Sequence, residues 1–229
     1  MARPAQPLDP QRRARLLSRA RLVFAAEGFR AARLTSILKQ ADFPRSSFYY
    51  FFATKERLLD AAVADGLREL AGLVRVPAAA DLDESSFWPS LTGLAADISA
   101  AARRPDLVAV GTVYHLDDLP PCPSLDAFKE AVVAWSTGIV ARGLELGLLD
   151  PLIPAQMHAE LAYAVAGCID RWATRDAAHL EVAQDLACTI LPRMLGAPGS
   201  APGPAPGAPP PTSRQKKMQE KEQKKQDRS

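Results

Sequence analysis

Apolar residues recur at spacings of three and four along most of the chain, and almost nowhere alternate as strands do. Asp9-Pro10 reads as a helix start, because Asp can cap and Pro tolerates the first helical position. Leu16, Leu17, Ala20, Val23 and Phe24 then fall on one face, and Gly28 supplies a stop. Leu34, Ile37, Leu38 and Ala41 make a second, short stripe. Asp42-Phe43-Pro44 is a turn, since Pro44 lacks a backbone donor and disfavours helix at Phe43. A third helix begins near Arg45, with Phe48 and Phe52 four apart as its anchors to the core. Thr54 caps a fourth, which runs from Lys55 to about Val74.

Further on, the pattern predicts a fifth helix over 85–103 and a sixth capped by Asp106. A proline-rich loop at 119–123 precedes a long helix over 124–146. After a loop at 148–154 come two last helices, over 155–174 and 179–195. The fold class expected is all-α. Its organisation is a disordered arm at 1–9, a helix-turn-helix domain at 10–54, a connecting helix at 55–74 and a helical body at 75–196. The remainder, 197–229, is a linker and tail. Residues 198–211 hold 7 prolines in 14 positions, an extended linker without a core. Residues 212–229 carry 7 Lys and Arg against 3 Asp and Glu with almost no apolar groups, which predicts disorder or weak helix.

Composition agrees with helix. Hydrophobic residues make up 48%, enough for a sizeable core, and Leu and Ala outweigh β-branched types. No apolar run is long enough to span a bilayer, and MARPAQPLDPQRR has no signal core, so the expected location is cytoplasmic. Cys122, Cys168 and Cys188 are odd in number and far apart, as reduced thiols would be.

Charge changes the picture more. Residues 1–60 carry 12 Lys and Arg against 5 Asp and Glu, residues 61–192 carry 8 against 18, and residues 193–229 carry 8 against 3. A basic head on an acidic body fits a protein that binds a polyanion at one end. The residues that could do so cluster in the third helix. Arg45, Ser46, Ser47 and Tyr50 lie opposite Phe48 and Phe52, with Tyr49 at the edge. Arginine can read guanine edges, and hydroxyls can hold phosphate. Lys55 opens the fourth helix, where a cation opposes the helix dipole and a docked anion would relieve it. On the first helix, Arg12 and Arg13 are placed to lie near a phosphate backbone, with Arg15, Arg19 and Arg21 on its remaining surface.

Other chemistry is poorly supported. His115, Asp117, Asp118 and Cys122 are metal-ligand types, but no second cluster at zinc-like spacing accompanies them. There is no glycine-rich phosphate loop and no nucleophile elbow. No cofactor, no metal site and no enzymatic activity are expected.

The segments ARLVFAAEGF at 20–29 and ILKQADFPRSSFYYFFATKERLL at 37–59 resemble the DNA-binding domain of the TetR family of bacterial transcription regulators. Phe48, Tyr49, Phe51, Phe52, Lys55 and Leu58 occupy the family's Leu-Tyr-x-His/Tyr-Phe-x-x-Lys-x-x-Leu run. The chain departs from the pattern at four positions. Asp42 replaces the usual turn glycine and Pro44 a capping serine or threonine. Leu38 replaces a common alanine and Arg33 a capping threonine. Asp42 is a candidate to supply the lost cap.

The resemblance implies Thr35 and Arg45 as base-reading residues, with Ser46 secondary, and Ser47, Tyr49, Tyr50 and Lys55 as phosphate contacts. It implies a regulator, most often a repressor, that binds a palindromic double-stranded DNA operator as a homodimer and is released by a small-molecule effector. By position, Phe87, Trp88, Tyr114, His115, Phe128 and Trp135 would line the effector pocket. Leu161, Val165, Cys168, Trp172, Leu186 and Ile190 would lie at the dimer interface formed by the last two helices. Asp42 and Pro44 also motivate an alternative, a sensor or interaction module of this fold with weakened operator binding. From its charge, the basic tail is either a source of sequence-independent, salt-sensitive DNA affinity or a solvated segment with no role.

Overall fold

The computed structural model describes residues 8–197. The predicted arm up to residue 7, the proline-rich linker and the basic tail fall outside the described residues. Among the described residues there are nine α-helices and one single-turn 3-10 helix, Ala79–Asp81.

The first four helices follow the sequence pattern closely. α1 (Pro10–Glu27) is capped by the Asp9 carboxylate, which accepts the Gln11 amide, and ends on Gly28 at φ 77°, a left-handed conformation that favours glycine. α2 (Leu34–Gln40) and α3 (Arg45–Phe51) flank the turn. α4 (Lys55–Ala71) is capped by Thr54, whose hydroxyl accepts the Arg57 amide. Leu16, Leu17, Phe24, Ile37, Phe48, Leu58 and Leu59 form one continuous core among these helices. Each such side chain contributes about 1.5–3 kcal/mol through burial, which two seven-residue helices could not gain alone. The core does not end with α4. Val113, Cys122 and Leu125 from the body complete it.

The body comprises α5 (Phe87–Ala101), α6 (Pro105–Tyr114), α7 (Pro123–Glu145), α8 (Ala155–Ala173) and α9 (Ala177–Leu195). α5 packs on α9, α7 on α8, and α8 on α9. A second core gathers Leu82, Phe87, Trp88, Ile139, Val140, Leu149 and Leu195. A bridge between Leu149 and Gly196 ties the loop after α7 to the end of α9. α6 stands apart from this arrangement, packing mainly on α1 and also on α4.

Two local expectations are corrected. Asp106 does not cap α6. That helix starts with Pro105 at its first position, its flanking residue Arg104 makes no side-chain cap, and the Asp106 carboxylate is drawn to arginines instead. Nor does Asp42 cap α3. Pro44 occupies the capping position, and no side chain bonds the helix start. Asp42 instead sits exposed at φ 50°, holding the left-handed backbone that the family's glycine would adopt. Its short polar side chain is among the few that visit this region at modest cost.

Candidate nucleic-acid interface and ligand cavity

α3 divides as its spacing predicts. Phe48 is fully buried and Phe52 nearly so, their rings 5.9 Å apart, which fixes the helix to the core. The opposite side faces solvent. Arg45 and Ser46 are exposed, Ser47 is half-buried, Tyr49 is 47% exposed and Tyr50 63%. Together with the neighbouring Phe51, the two tyrosines leave a run of aromatic surface that would gain from contact. The Arg45 guanidinium donates to the Tyr49 hydroxyl at 3.2 Å and lies 5.6 Å from the centre of its ring. Base-reading and phosphate-binding candidates are thereby held side by side. Thr35, on α2, is also exposed.

Lys55 differs from expectation. Its ammonium does not stand free at the start of α4. It donates to the Phe29 carbonyl at 2.7 Å and the Ala32 carbonyl at 3.1 Å, and lies 4.3 Å from the centre of the Phe29 ring. The carbonyls of the α1–α2 loop satisfy the cation that an anion was expected to satisfy. Arg13, expected near phosphate, pairs with Asp65 at 3.2 Å, while Arg12 remains exposed.

Behind this surface lies a cluster that sequence reading missed. Arg21 is 1% exposed. Its guanidinium donates to the Ala62 carbonyl and to Asp65 and Glu69 of α4, and reaches Asp106 of α6 at 2.8 Å. Arg104 bridges Glu69 and Asp106. Burial raises the Asp106 pKa, but hydrogen bonds from Arg21 and Arg104 outweigh it and leave it below the ordinary value. The signal was available, because Arg21 shares the α1 face of Leu17 and Phe24 at i−4 and i+3. A glycine makes the approach possible: a Cβ on Gly66 would lie 2.5 Å from a Val110 methyl.

Two further carboxylates join body to head. Asp118, in the α6–α7 loop, accepts the amides of Phe29 at 3.2 Å and Arg30 at 2.7 Å. These backbone bonds, the Arg30 amide foremost, hold its pKa below the usual carboxylate value. Asp60 of α4 accepts the Ser124 amide at 2.8 Å and the Cys122 thiol, whose pKa burial pushes up to about 11. His115 pairs with Asp170 at 2.6 Å. His115, Asp118 and Cys122, considered above as metal-ligand types, thus have separate partners.

The body holds a cavity of about 500 Å³, open to one side, between α5, α7, α8 and α9. Phe87, Trp88, Phe128 and Trp135 line it, as expected. Tyr114 and His115 do not. They sit at the C-terminal end of α6, where Tyr114 meets the cavity-lining Tyr163 hydroxyl to hydroxyl and His115 meets Asp170. Tyr163 was missed because it lies off the apolar stripe of α8 that carries Leu161, Val165, Cys168 and Trp172.

Of the six interface candidates, none is buried within the single chain. Cys168 is exposed, and Leu161, Val165, Trp172, Leu186 and Ile190 are half-buried. No described helix is long and apolar enough to cross a membrane.

A short exposed helix braced by two others, joined to a helical body with its own cavity, is a helix-turn-helix arrangement. Residues 16–62 match the family model of the bacterial regulatory proteins, tetR family. The whole described chain has the same fold as solved TetR-family structures. SmeT, the repressor of the Stenotrophomonas maltophilia multidrug efflux pump SmeDEF, is 17% identical with a TM-score of 0.65, over 86% of this chain and 96% of SmeT. The SmeT–triclosan complex gives a TM-score of 0.61 at 17% identity, over 87% of this chain and 98% of that one. A TetR-family regulator from Agrobacterium tumefaciens is 19% identical with a TM-score of 0.61, over 82% and 100%. No curated protein sequence matches significantly. The sequence match covers α1 to α4 in part, and the fold of the described residues is that of solved TetR-family proteins.

Proposed function

We propose that the chain is a non-enzymatic repressor of the TetR type, which dimerises on a roughly palindromic operator and releases it when a small molecule occupies the body. The observation carrying this reading is the exposed face of α3. Arg45, Ser46, Tyr49 and Tyr50 are presented outward by a helix whose other face is locked into the core. Arg45 and Thr35 read bases, with Ser46 secondary, and Ser47, Tyr49 and Tyr50 hold phosphates. Two such helices in a dimer would enter successive major grooves about 34 Å apart. The half-buried apolar residues of α8 and α9 support dimerisation through that face, and the cavity supports an effector site. Ligand binding would favour subunit arrangements with the wrong spacing, relieving repression by population shift. SmeT supports the effector step by analogy, since it forms a complex with triclosan.

The deciding experiment is selection of bound DNA from a random pool. A two-fold symmetric site is expected, with Arg45→Ala relaxing base preference at one position of each half-site. Absence of any preferred site at low salt would sink operator binding. It would favour the second reading, a sensor of this fold without an operator, for which the exposed Asp42 carboxylate beside the turn is the supporting observation.

A further inference from the structure

The cavity wall restricts what can occupy it. None of the described lining residues is Asp, Glu, Lys, Arg or His. A charged ligand would lose its hydration there with no counter-charge in return. Two of the polar lining groups are already engaged by backbone carbonyls. The Trp135 indole N–H donates to the Pro77 carbonyl at 2.8 Å, and the Ser136 hydroxyl donates to the Val133 carbonyl at 3.0 Å. Thr92 lies beside Cys188, whose thiol pKa is raised by burial. The Trp88 indole N–H has no partner, but it also has almost no accessible surface, so it faces packed protein and not the open volume.

Tyr163 is different. Its hydroxyl bonds that of Tyr114 on α6, and neither phenol has another hydrogen-bond partner among the described residues. Two phenols hold two O–H protons, and their mutual bond uses one. When Tyr114 donates, the Tyr163 O–H is free for an acceptor at the cavity wall.

We propose that the cavity takes an uncharged, largely hydrophobic molecule bearing one acceptor oxygen, and that this oxygen receives the Tyr163 O–H. The inference rests on the effector-site reading above and names the chemical class of the effector. The phenol pair that would bind the oxygen also joins α8 to α6, whose opposite end holds Asp106 against Arg21 of α1.

The test uses the full chain and a neutral fluorescent dye, N-phenyl-naphthylamine, with its sulfonated analogue as the charged control. The neutral dye is expected to saturate at one site per chain, and the sulfonated dye to bind at least about tenfold more weakly. Acetylnaphthalene and ethylnaphthalene, which differ by one acceptor oxygen, then compete for the dye. Acetylnaphthalene should displace it at about fivefold lower concentration. That preference should vanish in Tyr163→Phe and persist in Tyr114→Phe, which leaves the Tyr163 proton unclaimed. Equal binding of the sulfonated dye, or a preference that survives Tyr163→Phe, overturns the inference and leaves the cavity as an effector site. If no neutral probe binds, the effector-site reading falls and takes the inference with it.

Discussion

At the scale of single residues, Lys55 and Asp42 carry the instruction. Both belong to the stretch that resembles the TetR family, yet the role of each depends on neighbours distant in sequence or on backbone angle. The Lys55 ammonium closes the α1–α2 loop by taking two carbonyls. Lys55→Met should therefore lower stability by about 1–3 kcal/mol, because it strands those partly buried acceptors. Thermal denaturation checks this. An unchanged melting temperature with weakened DNA binding would return the lysine to a phosphate role. Asp42 shows that the turn needs a left-handed backbone more than it needs glycine.

Among elements, α6 is the one that connects. It packs on α1 and α4 at the buried Arg21 cluster and touches α8 through Tyr114 and His115. Removing one partner from a buried ionic cluster costs more than the cluster's net contribution, since the remaining charges stay desolvated. Arg21→Met should destabilise the protein by about 3–5 kcal/mol in chemical denaturation. Adding Asp106→Asn should cost less in that background than in the wild type, because the carboxylate it removes has already lost Arg21. Strict additivity of the two changes would show that the Arg21–Asp106 contact contributes nothing of its own.

The whole molecule joins a basic head to an acidic body through carboxylates that the body and α4 supply. Asp106 and Asp118 have pKa values lowered by folding. A carboxylate with a lowered folded-state pKa stabilises the protein above its unfolded value, near 3.8 for both, and that contribution is lost as pH falls through the folded value. The melting temperature should thus hold between about pH 7 and pH 5 and fall steeply toward pH 3. Asp118→Asn should shallow that fall, as judged by calorimetry across the same range. An identical pH profile in the variant would remove Asp118 from the linkage.

Much of this architecture was legible in the chain itself. Apolar spacing, Asp9 and Thr54 as caps, Gly28 as a stop and Pro44 as a break determine the helices, because these are local preferences of backbone and side chain. The outward face of α3 follows from Phe48 and Phe52 by periodicity alone. What only tertiary structure decided is where charges and cavity walls meet. Arg21 and Asp106 are 85 residues apart, and Asp118 lies 88 from Arg30. Tyr114 and Tyr163 are 49 apart. Electrostatic and hydrogen-bond partners at such separations leave no periodic trace in sequence. They are selected by which helices pack together, and that packing turns Lys55 inward and brings Tyr163 to the cavity while leaving Tyr114 behind it.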